Sequence, residues 1–323
     1  MTDALASTLS VWLFVGLGLV ILLLAGDALV KGAVNLSLRV GIPALIVSLT
    51  IVAFGTSAPE LLVSVNAVIM GKPGLALGNV VGSNTANILL VLGVPAILTA
   101  LHTSGCDTRK TFVFMLGSTA LFIGLAFFGT FTAISGAVLL AGLAYMLGGA
   151  FLDARSHRRA ACAADLENVE GADPNMPWWQ IVVFLILGLV GLPLGADLLV
   201  DNASIIAASY GVSDGVIGLT LVALGTSLPE LATTVMAALR RQADVALGNV
   251  IGSNIFNLLG IIGIASLVGP IPVDPEFLQF DLWVMLGASL LLVPFVFWGR
   301  DITRPWGVGL TVAYLGYITI ILV

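Results

Sequence analysis

IVAFGTSAPELLVSV, residues 51–65, returns as LVALGTSLPELATTV, residues 221–235, and ALGNVVGSNTAN, residues 76–87, returns as ALGNVIGSNIFN, residues 246–257. Both pairs lie 170 positions apart without a gap, and about half of the positions across 51–93 are identical in the second copy. That is far more than shared hydrophobicity would produce. Even Asp27 in GDALV meets Asp197 in GADLLV at the same offset. The chain is internally duplicated, and each copy carries one acid, Glu60 or Glu230, in the middle of an otherwise apolar run.

The rest of the chain explains where those acids lie. Hydrophobic residues make up 59% of its 323 positions and charged residues only 9%, against about 25% charged in soluble domains. Mean hydropathy is +1.12. This composition defines an all-α polytopic membrane protein and excludes a nucleic-acid partner; the bilayer is its surroundings. A span needs roughly 20 apolar residues, and ten candidates follow: 11–38, 43–70, 75–99, 111–128, 131–152, 179–209, 214–239, 245–268, 280–298 and 306–323. Five fall in each copy, and an odd number sets the second copy into the membrane in the opposite sense. The expected architecture is therefore two inverted five-helix repeats, 1–152 and 179–323, joined by a solvated linker, 153–178. In transporters built this way substrates bind near the midplane, at interrupted helices where the repeats meet.

Charge placement orients the chain. Arg39, Arg109, Lys110, Arg155, Arg158, Arg159, Arg240, Arg241, Arg300 and Arg304 all fall in connections that follow odd-numbered spans. Lys72 lies in an even connection, and Lys31 inside the end of span 1. The odd connections and the linker are expected to be cytoplasmic and both termini extracytoplasmic, in a plasma membrane or bacterial inner membrane. Asp3 precedes the first span without a basic stretch, so that span is read as retained, not cleaved. Cys106 and Cys162 lie in polar connections and make neither a disulfide framework nor a CxxC metal motif.

A carboxylate near the bilayer centre costs about 2.5–3.5 kcal/mol on insertion scales and calls for a partner. No basic residue stands at matching depth in either motif, so the simplest partner is a cation. Ser57-Ala-Pro-Glu60 and Ser227-Leu-Pro-Glu230 also fit a helix N-terminal capping box with proline in the first turn. Pro59 and Pro229 each remove a backbone donor, so spans 2 and 7 are expected to be broken, exposing carbonyls near Ala53 and Ala223. Irregular backbone at that depth is tolerated only where it is buried or lines a cavity.

The second motif supplies neighbours. Asn79, Ser83 and Asn87 are spaced at four and share one helical face, as do Asn249, Ser253 and Asn257. Gly78 and Gly82, and again Gly248 and Gly252, are GxxxG steps suited to close helix packing. Oxygen ligands without Cys or His select hard cations, and calcium takes six to eight of them. The Glu60 and Glu230 carboxylates, the Thr56, Ser57, Thr226 and Ser227 hydroxyls, the Asn87 and Asn257 amides and two carbonyls exceed one such shell, which points to several ion sites. At roughly 5 Å and an effective dielectric near 20, two bare carboxylates repel by about 3 kcal/mol. The ion-free carrier is therefore expected to take up a proton or to wait for its next cation before changing face.

G-T-S-x-P-E followed by G-N-x-x-G-S-N-x-x-N, present twice over essentially the whole chain, resembles the alpha repeats of the calcium/cation antiporters, and most closely the prokaryotic type of the sodium/calcium exchanger branch. The resemblance implies alternating access, with spans 1 and 6 sliding past a core that holds both motifs. Carried over position by position, it implies cation ligation by Ala53, Thr56, Ser57, Glu60, Ser83 and Asn87, and by Ala223, Thr226, Ser227, Glu230, Ser253 and Asn257. Ca²⁺ and Na⁺ would be cargo, with no prosthetic group, no catalytic residue and no obligate protein partner. Some exchangers of this type carry aspartate where this chain has Asn87 or Asn257. Three bound Na⁺ would leave a site with only two acids net positive. The short linker also leaves no room for the regulatory calcium-binding domains of larger animal exchangers.

The expected function is thus an electrogenic Na⁺/Ca²⁺ antiporter. An H⁺/Ca²⁺ exchanger of the same fold is the alternative; its pattern puts Asn-Ala near the acid, whereas Thr56-Ser57 and Thr226-Ser227 favour sodium. A channel would need rings of ligands around a continuous pore. An intramembrane hydrolase would need a base beside Ser57 or Ser227, and His102 and His157 both lie outside the spans. Two further expectations concern span ends: Asp27 and Lys31, four apart, form a local ion pair, and Asp197 and Asp201 either line an outer vestibule or sit partly exposed.

Overall fold

The computed structural model describes residues 2–102, 108–157, 173, 175–211 and 223–322. Helix α1 runs Thr2–Val40; α2 (Ala44–Val47), a π turn (Ser48–Val52) and α3 (Ala53–Thr56) lead into α4 (Ala58–Ile69). The first copy continues through α5 (Pro73–Leu89), α6 (Gly93–Leu98), α7 (Arg109–Ala126), strand β1 (Thr130–Phe131) and α8 (Ala133–His157). The second copy supplies α9 (Trp178–Ser209), α10 (Ala223–Thr226), α11 (Leu228–Leu239) and α12 (Ala243–Ile255), followed by a π turn, Phe256–Ile261. After it come α13 (Ile262–Val268), strand β2 (Ile271–Pro272), a π turn (Phe277–Asp281), α14 (Leu282–Leu290), α15 (Val293–Phe297) and α16 (Arg304–Leu322).

Among the described residues, seven helices are long and apolar enough to cross a membrane, or eight when the bent pair 44–56 and 58–69 is taken as one span. Of the remaining two candidates, 214–239 begins in residues outside the described set, and 306–323 corresponds to α16 up to its last residue; Arg158, Arg159 and most of the 153–178 linker also lie outside it, whereas 153–157, with Arg155, continue α8. The surface is apolar where a soluble protein would be polar: Leu24, Phe128, Ile134 and Tyr145 are all exposed. Inside, Ser57, Glu60, Asn84, Asn87, Glu230, Asn249 and Asn257 are all buried. A bilayer rewards that inversion, because outward-facing apolar groups meet lipid and polar groups must find partners within the protein.

Two long helices form one edge. At about 1.5 Å per residue, the 39 residues of α1 and the 32 of α9 exceed the roughly 30 Å of hydrocarbon. They lie against each other closely enough that a Cβ at Gly18 would come 2.7 Å from the Leu199 nitrogen, and one at Gly195 would come 2.9 Å from that of Leu22. Their contact face forms a small apolar cluster of its own, with Leu22, Leu29, Leu192 and Ala196, separate from the larger core that holds α5, α7 and α12.

Connections between helices add what a purely helical expectation lacks. Thr130 and Phe131 pair antiparallel with Pro272 and Ile271, and Leu101 bridges Ile302 through reciprocal bonds of 3.0 and 3.1 Å. The two pairings correspond under the duplication, since Leu101 matches Ile271 at the 170-residue offset. Each satisfies backbone groups of connecting segments that no helix pairs.

Candidate functional site

Span 2 bends by 44° at Ser57. Pro59 has no N–H to offer the Gly55 carbonyl four residues earlier, so the ladder is interrupted there. α4 starts immediately afterwards with Pro59 in its first turn, and α11 repeats this with Pro229. Neither Ser57 nor Ser227 caps its own helix. The Ser57 hydroxyl instead donates across the molecule to Glu230 Oε1 at 3.0 Å, and that of Ser227 to Ser83 Oγ at 3.4 Å. The capping expectation is thereby corrected: proline opens the helix, and the serine is spent on the other copy.

The two motifs interlock through matched contacts. Asn79 donates to the Glu60 carbonyl and to Ser64 Oγ at 3.2 and 3.0 Å; Asn249 donates to the Glu230 carbonyl and to Thr234 Oγ1 at 3.4 and 3.2 Å. Thr226 donates to Asn79 Oδ1 at 3.4 Å, and Thr56 to Asn249 Oδ1 at 3.3 Å. The Thr226 hydroxyl also lies against the Glu60 carboxylate and that of Thr56 against Glu230. Ser253 adds a donor to Glu230 Oε1 at 3.4 Å. Each threonine therefore ties one copy's broken helix to the other copy's Asn/Ser helix, which brings Thr56, Ser57, Glu60, Ser83, Thr226, Ser227, Glu230 and Ser253 into one polar cluster.

Oxygens without donors mark what the cluster lacks. Glu60 is 1% and Glu230 0% exposed, yet the Oε2 atom of each has no hydrogen-bond partner, and the same holds for Asn87 Oδ1 and Asn257 Oδ1. Glu230 bears electrostatically on Glu60. Among the described residues no Lys, Arg or His acts on either carboxylate, and no group of three or more His, Cys, Asp or Glu gathers anywhere. Leaving a buried carboxylate oxygen unpaired costs several kcal/mol by desolvation. A hard cation supplies the missing charge, and the donor set of carboxylate, amide and hydroxyl oxygens fits one.

Several expectations change at this resolution of detail. The Ala53 carbonyl is not exposed by the break: it accepts the Ser57 N–H at 3.0 Å and the Thr56 hydroxyl at 3.3 Å, because the N–H missing at Pro59 would have served the Gly55 carbonyl. At the matching point the Ser227 N–H closes on Leu224, at 3.0 Å; Ala223 opens α10, directly after residues outside the described set. Asp27 does not pair with Lys31. Its carboxylate meets Arg240 Nε at 2.5 Å, while the Lys31 ammonium sits 4.6 Å above the Phe184 ring. Asp197 and Asp201 are exposed on α9. His102 is exposed and pairs with Asp301 at 2.7 Å, whereas Ser57 and Ser227 are both buried.

Gly248 and Gly252 do serve packing, with a Cβ at Gly252 falling 2.7 Å from Ala53 Cβ. At the 170-residue offset, the corresponding neighbours of Gly78 and Gly82 are 215, 218, 219 and 223, of which the first three lie outside the described residues. Four contributors escaped the motif reading: Ser64 and Thr234, which hold Asn79 and Asn249, and Asn84 and Asn254. The last two stand beside the serines of G-S-N and only one position off the polar stripe, so the duplication itself was the signal that could have found them.

A bundle of apolar helices closed around opposed carboxylates and unpaired oxygens is the outline of a membrane transporter for cations. The sodium/calcium exchanger protein family matches the chain over residues 10–151 and 180–323, and the chain belongs to that family. It is 38% identical over 312 residues to CaxA of Alkalimonas amylolytica, covering 94% of this chain and 96% of that one. It is 33% identical over 347 residues to the sodium/calcium exchanger MaX1 of Methanosarcina acetivorans, again covering 94% and 96%. The fold superposes on a structure of the sodium-calcium exchanger NCX_Mj soaked with 2.5 mM Na⁺ and 10 mM Sr²⁺ at a TM-score of 0.82 and 32% identity, over 97% of this chain and 99% of that one.

Proposed function

We propose that this chain is an electrogenic antiporter that exchanges Na⁺ for Ca²⁺ by alternating access. The observation that carries the proposal is the set of four enclosed oxygens, Oε2 of Glu60 and Glu230 and Oδ1 of Asn87 and Asn257, that no protein donor satisfies. Two carboxylates neutralise one Ca²⁺, and emptying the site leaves them in mutual repulsion. The penalty favours exchange over leak. In this reading the ligands are Glu60, Glu230, Asn87 and Asn257, helped by the hydroxyls of Thr56, Ser57, Ser83, Thr226, Ser227 and Ser253; the Ala53 carbonyl, which already accepts two hydrogen bonds, is left out. Membership of the exchanger family and the likeness to NCX_Mj support it.

The architecture that goes with it is ten spans in two inverted repeats, 1–152 and 179–323, with spans 2 and 7 broken. The linker 153–178 is cytoplasmic and both termini extracytoplasmic, in a plasma or bacterial inner membrane. Matched hydrogen bonds at a constant offset support two equivalent halves, and five spans per half give the inversion. The hydroxyl pairs Thr56-Ser57 and Thr226-Ser227 favour Na⁺ over H⁺ as the coupling ion.

Reconstituted vesicles test both points. An imposed Na⁺ gradient, with a proton ionophore present, is expected to drive Ca²⁺ uptake, and Glu60→Gln or Glu230→Gln to remove it. Uptake that needs a proton gradient and ignores Na⁺ would replace the proposal with H⁺/Ca²⁺ exchange.

A further inference from the structure

Asn87 and Asn257 are matched by the duplication, but only one of them is held. Asn87 Nδ2 donates to Asn254 Oδ1 at 3.0 Å. Asn254 in turn donates its own amide nitrogen to the Asn84 backbone carbonyl at 3.4 Å and points it toward Met115 Sδ, 3.9 Å away. Both asparagines are 2% exposed or less, so water does not compete for them. A carboxamide carries donor and acceptor on opposite branches. Reversing Asn254 would set its oxygen against the Asn84 carbonyl and its nitrogen against that of Asn87; reversing Asn87 would set oxygen against oxygen. The chain of bonds therefore has one sense, and at its far end Asn87 Oδ1 is the buried oxygen without a partner.

We propose that Asn254 is a positioning residue for the cation site, which fixes the Asn87 amide with its oxygen, and not its nitrogen, presented to the ion. This rests on the cation-exchange reading of the site. An Asn87 amide free to flip would offer a cation two N–H dipoles of the wrong sign, so the hydrogen bond selects the binding-competent rotamer before the ion arrives. Outer partners that orient metal ligands typically contribute about ten- to a hundredfold in affinity. The competing role for Asn254 is simple cross-linking of α5 to α12, and that role makes no demand on Asn87's oxygen.

A double-mutant cycle on the purified full-length chain, read by calorimetric Ca²⁺ titration in detergent, separates the two. Asn254→Leu, which keeps the branched outline and removes both acceptor and donor, is expected to raise the Ca²⁺ Kd by about tenfold or more. In an Asn87→Ala background the same substitution should change Kd by less than about twofold, since no amide is left to orient. Asn254→Thr, whose hydroxyl can accept from Asn87 and donate onward, should recover most of the affinity. If Asn254→Leu does not fold, Asn254→Ala runs the same cycle. Equal losses in both backgrounds, or no loss in the first while the unsubstituted chain binds Ca²⁺, overturn the inference and leave the functional reading standing. Absence of Ca²⁺ binding by the unsubstituted chain removes both.

Discussion

The two copies of the duplicated motif are nearly the same sequence and not the same structure. In the first copy Asn87 lies on a continuous helix, α5, and its amide is hydrogen-bonded to Asn254. In the second, Asn257 lies one residue into a π turn, Phe256–Ile261, and neither its nitrogen nor its oxygen has a partner. Asn84, the counterpart of Asn254, likewise has both side-chain atoms unpaired. A π turn inserts an extra residue into a helical turn and rotates the side chains that follow, which is enough to separate a pair that the duplication would otherwise match. One half of the site is thus pre-set and the other adaptable. In a carrier with related halves such a difference is expected, because a single conformation cannot present both copies identically.

The acids test the comparison most severely. If both halves feed one cation site, Glu60→Gln and Glu230→Gln should each lower Ca²⁺ affinity by at least about a hundredfold, the scale of breaking a buried charge pairing. Calcium binding to the purified variants measures it. A deep loss in only one of them would mean that the copies serve different ions. Glu230, which takes hydrogen bonds from Ser57 and Ser253, is expected to show the smaller change in melting temperature, because glutamine keeps an oxygen for those hydroxyls.

Converting each amide to the missing acid sharpens the asymmetry. In Asn87→Asp the nitrogen that faces Asn254 Oδ1 at 3.0 Å becomes an oxygen, so a hydrogen bond is replaced by a buried repulsion costing about 1–3 kcal/mol. Asn257→Asp has no protein hydrogen bond to lose. With Ca²⁺ present, Asn87→Asp should melt clearly below Asn257→Asp by differential scanning fluorimetry. The reverse order would show that the π turn does not distinguish the two amides.

What was legible in the chain divides along the same line. The membrane class, the duplication, the helix break at Pro59 and the polar cluster around Glu60 and Glu230 follow from composition and from residues a few positions apart. Contacts between the copies do not. Ser57 reads as a cap within its own box, yet its bond runs to a residue 173 positions away. Asp27 has a lysine at helical spacing, yet its partner is 213 positions distant. Local rules weigh only local alternatives, and tertiary packing chose otherwise in both cases. The β1–β2 pair was invisible for another reason: two-residue strands in connecting segments leave no periodicity to detect.

Packing offers a milder test. A methyl at Gly252 would fall 2.7 Å from both Ala53 Cβ and the Leu49 carbonyl, and overfilling such a contact costs about 1–3 kcal/mol. Gly252→Ala is expected to lower the melting temperature and to weaken Ca²⁺ binding, because the displaced segment carries Thr56 and Ser57. Gly117→Ala, on α7 with nothing within 4 Å of the added methyl, should do neither. Equal behaviour of the two variants would show that α12 and the first half of span 2 are not in contact in the membrane.

The smallest effect comes from the ion pair that only one copy possesses. Arg240 joins the end of α11 to Asp27 on α1. At the matching positions the other copy has Met70 and Asp197, both exposed, so the same link cannot form there. The paired side chains are themselves 20% and 32% exposed, which limits the pair to about 0.2–1 kcal/mol. Arg240→Met, which copies the first half's residue into the second, should therefore reduce stability by less than about 1 kcal/mol, and the loss should shrink toward nothing in 1 M salt, where the screening length is about 3 Å. A loss that persists in high salt would mean that the arginine acts through its packing stem and not its charge. Met70→Arg is the converse experiment: if the halves are related closely enough for Asp197 to receive it, the new arginine should raise the melting temperature by a similar, salt-sensitive amount.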